Sequence, residues 1–159
     1  MKSVKITYIA LLSALAIIFG YIESLFPLPI PIPGVKLGIS NIVILFSVMR
    51  LNKSDAFFIM LIKVFVCSLL FSGMNTLLYS LCGGVLSLAI MILLYYFGFN
   101  IITISIFGGV FHNIGQIAAA SVMLKSFNAF YYLPVLIFSG IAVGFIIGIT
   151  AKAVMSRLK

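Results

Sequence analysis

Residues 20–41 read GYIESLFPLPIPIPGVKLGISN, and this stretch decides how everything on either side of it is taken. It opens as the end of an apolar helix and places an acid, Glu23, at that end. Pro27, Pro29, Pro31 and Pro33 then alternate with apolar residues before Gly34 and Lys36. Each proline removes a backbone donor and fixes φ, so the segment is expected to be extended and stiff, close to polyproline II. A simple turn between two helices needs neither this length nor Leu28, Ile30 and Ile32. The segment reads as a stiff apolar strap packing back as a lid, formed by Pro27, Pro29, Pro31, Pro33 and Gly34. The alternative is a hydrophobic connector resting at the lipid interface.

Outward from the strap the chain is apolar in both directions. Of 159 residues, 64% are hydrophobic and 8% charged, and the mean hydropathy is +1.36. A soluble domain of this length cannot bury so much apolar surface, so the chain reads as one polytopic membrane domain spanning residues 1–159. Continuous apolar runs, without alternation, exclude a transmembrane β-barrel. The fold class expected is an all-α, six-transmembrane-helix bundle. Its helices fall at about 7–26, 37–51, 55–72, 76–97, 101–124 and 133–154. The first run is long enough to span and reads as retained rather than as a signal peptide. The second is short for a span and needs tilt or length borrowed from the strap. Ser54 or Asp55 is placed to cap the third.

Net charge is +8, because ten Lys and Arg face only Glu23 and Asp55. The cations flank apolar runs, as helix anchors do, so nucleic acid is not an expected partner; membrane lipid is. With the N-terminus inside, Lys2, Lys5, Arg50, Lys53, Lys152, Arg157 and Lys159 lie on the cytoplasmic side, and only Lys36 and Lys125 lie outside. That asymmetry puts both termini in the cytoplasm and the strap on the outer face. Cys67 and Cys82 fall inside spans, which argues against a disulfide.

Polar residues inside the spans carry the functional signal. Lys63 sits near the middle of the third helix, where insertion of a cation costs roughly 2.5–3.5 kcal/mol. His112, Asn113 and Gln116 sit near the middle of the fifth, with His112 and Gln116 four apart on one face. Asn41 opens the second helix, and Tyr79 lies in the outer half of the fourth. Together with Glu23 and Lys36, these residues are the expected substrate-binding set, converging beneath the strap. The competing reading pairs Lys63 with Glu23 and makes His112 and Gln116 ordinary interhelical bonds. The excess of cations favours a small ligand bearing a carboxylate or phosphate. Small residues mark helix contacts: Ala10 and Ala14 on the first helix, and Gly140, Gly144 and Gly148 on the sixth. The sixth-helix set reads as internal packing. The alanine pair fits either internal packing or a docking face for another membrane subunit.

Several chemistries lack their residues. No P-loop is present, one Asp and one Glu cannot build an acidic magnesium cluster, and one His with two Cys makes no zinc site. No catalytic residue, metal site or cofactor is expected.

The segments YIESLFPLPIPIPGVKLGISNIV, LLYSLCGGVLSL, FGGVFHNIGQIAAAS and FYYLPVLIFSGIAVGFIIG closely resemble the bacterial Gx transporter family, which also carries the name heptaprenyl diphosphate synthase component I. The resemblance covers almost the whole chain. More distantly, the size, the six helices and the Ala10-x-x-x-Ala14 pair are similar to S components of energy-coupling factor transporters. That similarity implies a bacterial plasma-membrane subunit that binds a small-molecule substrate. It also implies Ala10 and Ala14 as the docking residues for a transmembrane coupling subunit, with ATPase subunits supplying energy. The family's other name implies instead a non-catalytic accessory role in isoprenoid diphosphate or quinone synthesis.

Overall fold

A computed structural model describes residues 2–25, 38–71 and 73–158. The lid residues Pro27, Pro29, Pro31, Pro33 and Gly34, and Lys36 of the binding set, lie outside the described residues.

Six α-helices account for nearly all of the described chain: α1 (Lys2–Ser24), α2 (Asn41–Arg50), α3 (Lys53–Phe71), α4 (Met74–Tyr96), α5 (Ile101–Met123) and α6 (Leu133–Arg157). A 3₁₀ segment, Phe127–Tyr132, precedes α6. No strand occurs among the described residues. Five helices are long and apolar enough to cross a membrane, which makes this a multi-pass membrane protein. The sixth, α2, has 10 residues. It is about 15 Å long, half the thickness of a hydrocarbon core. The described part of the second apolar run therefore does not span by itself.

The helix ends follow from local chemistry. At the end of α4, Gly98 takes φ +77°. Its N–H donates to Tyr95 O and that of Phe99 to Leu94 O, both at 3.1 Å, the paired bonds of a Schellman termination. Asn100 then caps α5, its side chain accepting from the Thr103 N–H at 2.9 Å. The capping expected of Ser54 or Asp55 is corrected. Asn52 precedes α3 and its carbonyl accepts from the Asp55 and Ala56 N–H groups, so both residues lie inside the first turn. Asp55 instead bonds Lys5 at 2.9 Å, tying the start of α1 to the start of α3.

Backbone contact sets the packing of the second half. A Cβ placed on Gly144 would stand 2.7 Å from Ile106 Cα, and one on Gly148 would stand 2.8 Å from Ile102 Cα. The glycine row of α6 is thus the seam against α5, the internal packing expected of it. The alanine pair of α1 behaves otherwise. Ala10 and Ala14 are exposed, whereas Ser13, Ala16 and Gly20 are buried. The bundle packs on the opposite side of α1 and leaves the alanine stripe uncovered.

Candidate functional site

The site begins with three polar side chains on two helices. Lys63 on α3 and His112 and Gln116 on α5 are 8%, 3% and 1% exposed, and all three line one small cavity. Glu23, at the end of α1, lines it as well, with Ser68 and Ser80 adding hydroxyls from α3 and α4. The cavity holds about 10 Å³, the space of roughly one water-sized sphere. Cation, carboxylate, imidazole, amide and hydroxyls therefore meet in one place, walled by apolar helices.

Glycine makes the room. A Cβ on Gly83 of α4 would lie 2.8 Å from Gln116 Cγ and 3.2 Å from His112 Nδ1. Only a bare backbone lets α4 approach α5 at the level of these two side chains. The sequence signal for this role is only the Gly83–Gly84 pair inside an apolar helix; that it faces His112 and Gln116 emerges with the packing of α4 on α5.

Glu23 has a defined task. Its carboxylate accepts from the Gly38 N–H and, at 3.2 Å, from the Ser40 hydroxyl. Gly38 takes φ +85°, a left-handed conformation that suits glycine. The acid therefore sits just ahead of the N-terminus of α2, where the helix dipole favours negative charge. It also clamps residue 23 to residue 38. This bonding was not legible from sequence, because it depends on where residue 38 returns.

The remaining members of the expected set are placed as follows. Asn113 is buried, and its Nδ2 donates to Leu136 O on α6 at 2.7 Å, so it joins α5 to α6 and does not line the cavity. Asn41 lines a second cavity, also about 10 Å³, with Gly38, Ser105 and Gly144. Gly38 stands between the two: a Cβ there would be 3.0 Å from Asn41 Nδ2 and 3.8 Å from His112 Cδ2. Tyr79 is buried in a separate apolar cluster with Ile117, Ala129 and Leu136. Lys63, His112, Gln116 and Glu23 are thus brought together. Asn41 is their neighbour, and Asn113 and Tyr79 face elsewhere. Among the described residues no three His, Cys, Asp or Glu side chains converge as a metal site would require.

Residues 12–154 match the family described as heptaprenyl diphosphate synthase component I. The chain belongs to this family. The match runs from the middle of α1 into the last turn of α6, so the Lys63 cavity, the α5–α6 seam and residues 26–37 all fall within the family's own region. No curated protein and no solved structure matches the chain.

Proposed function

We propose that the protein is the membrane-embedded, S-component-like substrate-binding subunit of an energy-coupling-factor-type uptake transporter. Its cargo is a small anionic molecule of vitamin or cofactor size. The observation that carries this reading is the convergence of Lys63, His112, Gln116 and Glu23 in one buried cavity. In a bundle that otherwise offers lipid and its own core apolar side chains, buried ionisable groups mark a solute path. Lys63 supplies charge to the ligand's anion, and His112 and Gln116 supply donors or acceptors to its polar edge. Glu23 accepts from Gly38 and Ser40, the residues that lead into α2, so that short helix can report on what enters.

Sites for small molecules occupy about 300–1,000 Å³, far above the 10 Å³ enclosed here. Binding therefore requires α1, α3, α4 and α5 to part around these side chains, with the proline strap acting as the lid. The uncovered stripe of Ala10 and Ala14 supports docking of a transmembrane coupling subunit, with ATPase subunits beyond it. The decisive experiment is mass spectrometry of the small molecules that copurify from native membranes. An anionic metabolite at near-unit stoichiometry supports the reading, and its absence from a folded, monodisperse preparation counts against it.

The family description supports a second reading: a non-catalytic membrane component of heptaprenyl diphosphate synthesis. The chain has one Asp and one Glu, too few to hold the magnesium ions that prenyl transfer needs, so any such role is accessory. Copurification of a soluble synthase, with no bound metabolite, would favour this reading.

A further inference from the structure

A groove that shares no residue with the Lys63 cavity runs between α4 and α5 and on to the 3₁₀ segment. One half, about 450 Å³, lies between Leu78 and Cys82 of α4 and Gly115 and Ala118 of α5. The other, about 420 Å³, lies between Ser121 and Lys125 of α5 and the rings of Phe127 and Phe130. Ala118 and Val122 line both halves, which makes them continuous. The trough exists because a Cβ on Gly115 would stand 2.8 Å from Gly83 Cα: the two backbones touch, and the small residues beside them fill little space.

Four observations at one end point to an occupant with a charged head. Lys125 is exposed and lines the groove where α5 ends. Only two acids exist in the chain, and both are engaged elsewhere: Asp55 with Lys5 and Glu23 with Gly38 and Ser40. Among the described residues neither acid faces Lys125. Ser121 is 7% exposed, and its hydroxyl has no hydrogen-bond partner among the described residues. Lys125 also closes α5 at φ +48°, a position where glycine is ordinary. The charge is thus held at a site where a lysine backbone is costly.

We propose that this groove seats one acyl chain of an anionic phospholipid, with its phosphate at Lys125 and the Ser121 hydroxyl bonding the phosphate or glycerol ester oxygens. The chain would lie along Ala118 and Gly115 towards Cys82. The dimensions agree. From Gly115 to Lys125 the helix rises about 15 Å, the depth of one leaflet of a core about 30 Å thick, and the end of a long apolar helix lies at the headgroup level. A partner helix would fill the apolar trough but would have to bring an acid to the membrane surface to meet Lys125; an anionic lipid brings it as a matter of course.

Native mass spectrometry tests this. The detergent-solubilised chain is titrated with phosphatidylglycerol and, separately, with phosphatidylcholine of the same acyl chains. The wild type should retain the anionic lipid about five-fold better, the effect of one cation near a headgroup. Lys125→Asn, which keeps a residue tolerant of the left-handed backbone, should abolish that preference. Ala118→Phe, which fills the trough, should lower retention of both lipids, whereas Lys152→Gln on α6 should change nothing. Equal retention of the two lipids by the wild type, or an unchanged preference in Lys125→Asn, would overturn the proposal. So would efficient crosslinking of Cys82 to Cys82 of a second copy in membranes, since the groove would then be an interface. Should Ala118→Phe fail to fold, the Lys125→Asn comparison decides alone.

Discussion

Glu23 shows most clearly what a single residue does here. Its carboxylate accepts from the Gly38 N–H and the Ser40 hydroxyl, just ahead of α2, and so joins residues 23 and 38. Removing it leaves buried donors unsatisfied, a loss of about 1–3 kcal/mol. Glu23→Ala should therefore lower the thermal midpoint in detergent by several degrees. Glu23→Gln, which keeps an acceptor oxygen, should recover part of that loss. Equal midpoints for wild type and Glu23→Ala would show that the clamp does not stabilise the fold. Sequence reasoning found the acid and assigned it to the binding set, but its bond to the start of α2 depends on a chain return that local pattern does not encode. The neighbours His112 and Asn113 teach a related lesson. Adjacent helical residues point about 100° apart, so His112 turns to the cavity and Asn113 to α6. The spacing of four between His112 and Gln116 was the informative signal; adjacency was not.

At the scale of elements, the apolar runs were legible because lipid-crossing helices leave long uninterrupted segments, and the polar interruptions at residues 50–55, 73–75 and 98–100 separated them. The short second element was legible only as short. Arg50 and Asn52 end it on one side and the prolines precede it on the other, leaving α2 its 10 residues. Small residues gave opposite results on two helices. The α6 glycines are buried against α5, and the α1 alanines are uncovered; a small-residue repeat alone does not distinguish the two. Mutation does. Gly144→Leu should separate α5 from α6 and destabilise the chain by about 1–3 kcal/mol or more through overpacking, read as a lower thermal midpoint. Ala10→Trp with Ala14→Trp should leave that midpoint and ligand binding unchanged while abolishing association with a coupling subunit in a pull-down. Unfolding of the double alanine variant would instead show that this face packs within the protein.

For the whole molecule, orientation and ligand binding are the claims that join the parts. The positive-inside asymmetry predicts both termini in the cytoplasm and the proline segment outside. A cysteine at Ile32 should react with a membrane-impermeant maleimide in intact cells and one at Asn52 should not, in a background lacking Cys67 and Cys82; the reverse pattern would invert the molecule and remove the lid. The most direct measurement concerns Lys63, the cation at the centre of the cavity. Ligand copurifying with the wild type is identified, and its dissociation constant is compared with that of Lys63→Met. Methionine replaces a buried cation with an apolar chain of similar length, so the variant should still fold, as a cooperative thermal transition would show. Binding should weaken at least about tenfold, the equivalent of 1.4 kcal/mol lost with one charge-assisted contact. Binding as tight as wild type in a folded Lys63→Met variant would contradict an anionic ligand held at this site.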